Sequence, residues 1–297
     1  MERKVIQLAG KTLVVSLPSK WVKKNQVMKG DTIELTEEEK RIIISTSKEK
    51  IFESKIINAN QDFDPLYIAY LYQSGVDEIK IKYHDSKVFS KIQQKIPDLM
   101  GYEIIDQGED YISIKNVSKA LEEEFDSLLR RTFYLIDELA TGSIDAYKDK
   151  DRINSLMTFE NSIDKFTDFC KRVLSKKGHK DSSKTNFYYV IIRDLEKIGD
   201  YYHELLEFFD TEKISLSNET VDVYKEVNMF MNSFHKLFYK FDETEGIKFR
   251  NQKKSLLKKL MLLLNTVPRK ELFIIYNLLG LTKVIGNLYG PYYITRL

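Results

Sequence analysis

From Ser118 to Leu288 the apolar residues recur at steps of three and four, and this helical period constrains the fold more than any other feature. Breaks near Gly142, at Lys177-Gly178 and at Gly290-Pro291 help to divide the stretch into helices. Six helices are predicted, over residues 121 to about 142, 153–174, 187–207, 220–241, 249–264 and 271–288. Three helices in each half indicate an internal repeat of about 85–90 residues.

The two halves align without gaps at two places. FENSIDKF at 159–166 matches FRNQKKSL at 249–256, and LEKIGD at 195–200 matches TKVIGN at 282–287. Acids four residues apart share one face of a helix, and the first half has such a pair on each of two helices. The four acids of the first half are Glu160, Asp164, Glu196 and Asp200. Their counterparts in the second half, in the same order, are Arg250, Lys254, Lys283 and Asn287.

The acid pairs destabilise their helices, so a purely structural role does not explain them. Acids at i and i+4 repel by a few tenths of a kcal/mol, and Gly199 costs about 1 kcal/mol inside a helix. Antiparallel neighbours would bring four carboxylates together, which then need cations, protonation or solvent. The alternative is a solvated acidic face, or salt bridges to Arg193, Lys197 and Lys165. The second half cannot hold a cation by these positions; we expect it to be structural, with a basic site for an anion as the alternative.

Residues 1–45 have a different pattern, with short strands and turns at Ala9-Gly10 and Lys29-Gly30-Asp31 around a short helix that follows Pro18. Residues 1–30 contain seven basic side chains and one acid, so this segment can neutralise DNA phosphates despite a net charge of only +2 for the chain. Trp21 is expected in the core. A lysine-rich solvated surface is the alternative. The candidates for DNA contact are Arg3, Lys4, Lys11, Lys20, Lys23 and Lys24.

Residues 46–116 alternate strand and helix patterns after a polar linker, TSKEK, and predict a small α/β unit with at least one crossover. It has no Gly-rich phosphate loop and no nucleophile arrangement, so we expect a spacer or a dimerisation module. The predicted elements are strands at 52–57, 78–83, 102–106 and 111–115 and helices at 66–73 and 86–96.

Two resemblances bear on function. The Gly-Lys turn, strand-Pro step and Lys-Gly-Asp turn of residues 1–45 resemble the AbrB/MazE swapped-hairpin domain, which implies interleaved hairpins of two chains and DNA binding. RDLEKIGDYYHELLE and the Glu160–Asp164 motif resemble the PhoU family, which implies a helical bundle with carboxylate metal sites and a role in phosphate uptake. The expected division is 1–45, 46–116, 117–208 and 209–297, in a multidomain α+β protein with a degenerate second repeat.

The leading expectation is a DNA-binding regulator of phosphate uptake: a cytoplasmic homodimer whose bundle binds a divalent or ferric ion through the four acids. The alternative is an adaptor that does not bind DNA and contacts a phosphate transporter or a signalling protein, with the N-terminal domain as a dimer clip. An enzyme is not expected, because His179 and His235 are isolated; His203 could support the metal ligands. We find no apolar run of about 20 residues, so no membrane insertion is expected.

Overall fold

A computed structural model describes residues 2–8, 10–38, 41–46, 52–118 and 121–297. The chain forms two compact units, Met1–Phe52 and Glu53–Leu297. The first contains small hairpins, and the second contains a sheet followed by a helical bundle, so the predicted multidomain α+β class is confirmed. Ala9 of the predicted first turn, and most of the predicted TSKEK linker, lie outside the described residues.

The first unit consists of two antiparallel hairpins and one short helix. Gly10 and Gly30 have φ of +84° and +94° at the two predicted turns, a backbone conformation that glycine adopts without a steric penalty. The helix follows Pro18, as expected. The elements are β1 (Ile6–Leu8), β2 (Thr12–Val14), α1 (Ser19–Lys24), β3 (Ile33–Glu38) and β4 (Arg41–Thr46).

A single copy of this unit has no core. Among its described side chains none is buried, and Trp21, expected in the core, is only half-buried. Leu13 and Ile42 are 70% and 69% exposed. Apolar side chains in a folded domain are normally covered, because their burial is the main favourable term in folding. A single copy of the unit therefore leaves its apolar side chains uncovered, and the expected interleaving with a second copy would cover them.

We expect the full-length protein to be a dimer at micromolar concentration and Leu13→Asp to shift it towards monomer. Burial of one leucine is worth about 1.5–3 kcal/mol, and a symmetric dimer loses it twice. Light scattering after gel filtration measures the effect, with Thr12→Asp as the control, since Thr12 is adjacent on the strand and points to the opposite face. A well-folded monomer of the parent protein would contradict the swapped-hairpin arrangement.

The second unit begins with the predicted α/β region. Its sheet has the order β5-β6-β8-β7, and β5 pairs parallel with β6 across α2, which is the predicted crossover. The remaining pairs are antiparallel. We call residues 53–118 the α/β module. Its elements are β5 (Ser54–Asn58), α2 (Leu66–Ser74), β6 (Glu78–Lys82), α3 (Ser86–Lys95), β7 (Tyr102–Gln107) and β8 (Tyr111–Asn116).

The bundle contains the six predicted helices, with differences at their ends: the fifth begins at Glu243 and not at 249, and two further differences concern glycines. The first helix does not stop near Gly142; it continues to Ala146, and Gly142 is where Leu156 of the next helix packs so closely that a Cβ would collide with it. The chain also remains helical beyond Gly290, with Pro291 in the first turn of a further short helix, where proline is tolerated. The helices are α4 (Phe125–Ala146), α5 (Lys150–Lys177), α6 (Thr185–Thr211), α7 (Asn218–Tyr239), α8 (Glu243–Leu263), α9 (Leu272–Asn287) and α10 (Tyr289–Ile294).

One apolar core runs through both halves of the bundle. Phe133 of α4 lies 6.2 Å from Phe234 and 4.8 Å from Phe238 of α7, measured between ring centroids. One stretch in the described part of the chain, Arg269–Ile294, is long and apolar enough to cross a membrane by length and composition. Half of its most apolar window is buried in the protein, and Ile274, Leu278 and Ile285 belong to the core.

The α/β module contacts α5 through a largely buried cluster of charged side chains. Arg172 donates to Asp77 Oδ1 at 2.7 Å and to the carbonyl oxygen atoms of Val76 and Tyr72 at 2.6 and 2.9 Å. Lys176 also pairs with Asp77, with Nζ–O distances of 2.5 and 2.6 Å. Because these groups are buried and mutually satisfied, they fix the module on the helix that carries the first acid pair.

Candidate metal centre

Three of the four predicted acids meet between α5 and α6. Glu160 and Asp164 lie one turn apart on α5, and Asp200 faces them from α6, with one ligand oxygen of each within 4.8 Å of the others. Glu160 and Asp164 are half-buried, while Asp200 retains solvent exposure. We call Glu160, Asp164 and Asp200 the acid triad. Its spacing and oxygen donors suit a hard cation such as Mg²⁺, Mn²⁺, Ca²⁺ or Fe³⁺.

Gly199 allows the two helices to approach at this point. A Cβ at Gly199 would press against Ile163 of α5, so a larger residue would move Asp200 away from its partners. The glycine that is unfavourable in an isolated helix therefore has a packing role beside the triad.

Glu196, the fourth predicted acid, is held by a buried lysine. Its Oε2 forms an ion pair with Lys171, which also lies 3.3 Å from Asp168 Oδ1. Asp168 in turn accepts a hydrogen bond of 2.7 Å from Gln73 of α2, so this chain of contacts extends from the α/β module to the edge of the triad. Sequence reasoning missed Lys171 and Asp168; the only signal was two charges three residues apart within a largely apolar segment.

The residues proposed as salt-bridge partners for the acids have other contacts. Lys165 donates to the carbonyl oxygen of Pro97 at 2.6 Å, and Arg193 pairs with its neighbour Asp194 at 2.7 Å. Lys197 is exposed. None of these contacts neutralises the triad.

Asp164 has the most unusual environment of the three. Its Oδ1 is buried without a hydrogen-bond partner among the described residues. Burial first, and then Glu160, Glu196 and Asp200, raise the pKa of Asp164 to about 8. Desolvation, Glu196 and Glu160 likewise raise the pKa of Asp200 to about 6. Two carboxyl groups with raised pKa values, one of them with an unsatisfied buried oxygen, fit a bound cation.

His203 borders the site. Its Nδ1 is buried without a hydrogen-bond partner among the described residues and lies 3.9 Å from Glu160 Oε2, and its Nε2 lies 3.5 Å from Glu207. The ring therefore lies beside Glu160 without a hydrogen bond to it.

The basic side chains predicted to contact DNA are all on the surface of the first unit. Lys11 lies at the first turn, and Lys20, Lys23 and Lys24 lie on α1. The exposed side chains are Arg3, Lys4, Lys11, Lys20, Lys23 and Lys24.

Comparison with known proteins gives two likenesses. Residues 6–52 match the family described as antidote-toxin recognition MazE, bacterial antitoxin. The structure is similar to that of the phosphate transport system regulatory protein PhoU from Streptococcus pneumoniae, with a TM-score of 0.47 and 16% identity over 59% of this chain and 94% of that chain. A search of curated proteins finds no match. The chain thus carries a MazE-type N-terminal domain and has a structural likeness to PhoU, and the two resemblances found in its sequence are confirmed.

Proposed function

We propose that this protein is a cytoplasmic DNA-binding regulator of phosphate uptake, in which a basic N-terminal dimer contacts DNA and the bundle binds a hard cation. The observation that supports cation binding by the bundle is the buried oxygen of Asp164, which has no hydrogen-bond partner among the described residues and lies near two further carboxylates. The link to phosphate uptake is supported by the resemblance of the two acidic helices to the PhoU family. Components of a phosphate transporter or a signalling protein are the expected further partners.

The acid triad would hold a divalent or ferric ion. The bound ion supplies the positive charge that lets neighbouring carboxylates ionise together. At neutral pH the Asp164 carboxyl keeps its proton, since its pKa is about 8, and it would have to lose that proton to serve as a ligand of a cation. The ion pair with Lys171 holds Glu196 beside the triad, and His203 lies next to Glu160.

The DNA-binding half rests on the MazE-type domain and its exposed cations. Lysine and arginine side chains neutralise phosphates without reading the bases, so they set affinity and its salt dependence. A second candidate is an adaptor whose N-terminal unit binds protein alone. The apolar surface of the single-copy first unit fits this candidate equally well, since such a surface can be covered by another protein as well as by a second copy.

The double variant Lys4→Ala/Lys11→Ala is expected to weaken DNA binding and to reduce the slope of log K against log salt by about 1 for each phosphate that is no longer neutralised. A duplex from upstream of the protein's own gene is titrated at several salt concentrations by fluorescence anisotropy. Lys213→Ala/Lys240→Ala, which removes two exposed lysines from the second unit, is the matched control. Equal binding and slope for the first variant and the parent would favour the adaptor.

A further inference from the structure

The second half of the bundle has a site at the place that corresponds to the acid triad. The counterparts of Glu160, Asp164 and Asp200 are Arg250, Lys254 and Asn287. All three counterparts line one groove, of about 630 Å³, between α8 and the α9–α10 end of the chain. Six side chains of this basic groove matter here: Arg250, Lys253, Lys254, Asn287, Tyr289 and Tyr293.

The packing of glycines shows that the correspondence is structural as well as sequential. A Cβ on Gly199 would meet Ile163, and a Cβ on Gly286 would meet Lys253. In the alignment Gly286 matches Gly199 and Lys253 matches Ile163. The same close crossing of helices therefore occurs in both halves, with a lysine in place of an isoleucine. Lys253 extends across Gly286 and donates to Asn287 Oδ1 at 2.9 Å.

The charge of the groove is uncompensated. Its lining contains Arg250, Lys253 and Lys254 and no acid. Lys248 and Lys259 on the same helix are paired with Glu245 and Glu226 at 2.6 Å, whereas Arg250 and Lys254 form no ion pair with any carboxylate in the described part of the chain. Burial lowers the pKa of Lys253, which shows the cost of holding this ammonium group without a counter-charge.

We propose that the basic groove binds a small molecule through a phosphate group. Three cations match a group with two or more negative charges better than a single carboxylate, and arginine binds phosphate oxygens in pairs. The amide of Asn287 and the hydroxyl groups of Tyr289 and Tyr293 are further polar groups at the same place. The ligand is therefore inorganic phosphate or a phosphorylated metabolite.

The tyrosine pair and the volume favour a nucleoside phosphate over the free ion. The rings of Tyr289 and Tyr293 are stacked, with centroids 5.8 Å apart and 28° between their planes. Both rings are half-buried in the groove wall. Aromatic rings beside cations bind planar bases, and about 300–1,000 Å³ is the usual range of small-molecule sites.

Calorimetric titration of the full-length protein tests the proposal, with AMP, ATP and inorganic phosphate as separate ligands at low salt. Arg250→Glu/Lys254→Glu is expected to weaken binding at least about 100-fold, since each charged hydrogen bond contributes about tenfold or more. Lys258→Glu is the matched control, an exposed lysine one turn beyond Lys254 that does not line the groove, and should change affinity less than about threefold. Thermal melts verify folding, and Arg250→Gln/Lys254→Gln replaces the reversal if it fails to fold.

Tyr293→Leu distinguishes the two sources: it should weaken nucleotide binding and leave phosphate binding unchanged if a base stacks on the pair. Equal loss or no loss for both ligands assigns the site to the phosphate group alone, which still supports the proposal. Saturable binding that Asp200→Asn leaves unchanged locates the anion away from the acid triad. The proposal would be overturned if none of the three ligands bound saturably at millimolar concentration, or if binding survived the double charge reversal.

Discussion

Replacement of Arg172 by methionine is expected to lower the free energy of unfolding of the second unit by about 3–5 kcal/mol, the usual cost of removing one partner of a buried ion pair. Asp77 would keep Lys176 and the backbone N–H of Glu53 but lose the guanidinium, and the carbonyl oxygen atoms of Val76 and Tyr72 would each lose a donor. The guanidinium also lies over the rings of Tyr72 and Tyr102, at 5.0 and 5.6 Å from their centroids, so its packing is removed as well.

Chemical denaturation followed by circular dichroism measures the loss. Lys180→Met is the control, because its pair with Asp126 is exposed on both sides and should contribute no more than about 1 kcal/mol. In Arg172→Met/Asp77→Leu the loss should be smaller than the sum of the two single losses, since both buried charges of the pair are gone. A loss below about 1 kcal/mol for Arg172→Met would mean that the contacts of Arg172 are not what holds the module on α5, and that Lys176 and the remaining contacts suffice.

Asp200→Asn is expected to reduce cation binding by more than about 100-fold, because a neutral amide cannot replace a charged ligand in a site of three. The same change should leave the stability of the metal-free fold unchanged or slightly higher, since it removes one of the charges that raise the pKa of Asp164. Glu204→Gln is the matched control, one turn further along α6 and outside the triad, and should bind nearly as tightly as the parent. The cation affinity of Glu196→Gln should lie between those of Asp200→Asn and Glu204→Gln, because Lys171 holds Glu196 in an ion pair.

The pH dependence has a defined sign. Asp164 has a pKa of about 8 in the folded state and an ordinary value of 3.8, so between these values the folded state binds the extra proton. The stability of the metal-free protein therefore falls as pH rises from about 4 to 8, by at most about 1.4 kcal/mol per pH unit for this proton. Cation binding displaces the proton, so affinity should rise over the same range.

Thermal melts at pH 5 and pH 8, with and without chelator, and metal analysis after loading with Mg²⁺, Mn²⁺, Ca²⁺ or Fe³⁺ measure these effects. No metal in the parent after any loading, together with a melt that the chelator does not change, would identify the triad as a protonated or solvated face.

Local patterns predicted most of the helices and strands, because periodicity, caps and turns act over a few residues. The convergence of Glu160, Asp164 and Asp200 also follows from such patterns, since i,i+4 pairs on neighbouring helices face one another. The ion pair of Glu196 with Lys171 did not follow, because it depends on the register between α5 and α6. The contact of Arg172 with Asp77 joins residues 95 positions apart, and nothing local marks either partner.

Gly142 shows the opposite error. A glycine after a helical run usually indicates the end of a helix, but here it gives Leu156 room to pack within a helix that continues to Ala146. Local chemistry could not distinguish an end from a crossing.

The apolar core shared by the two halves limits how the protein can be dissected. The rings of Phe133 and Phe234 belong to different repeats and cover one another, so a fragment that ends after α6 would leave the inner faces of α4 and α6 in water. The second half of the bundle lacks the acids at the matching positions, but it is not dispensable, since it completes the interior on which the first half depends. Equilibria measured on either half of the bundle would describe a different molecule, because both sites depend on the interior that the two halves share within the unit Glu53–Leu297.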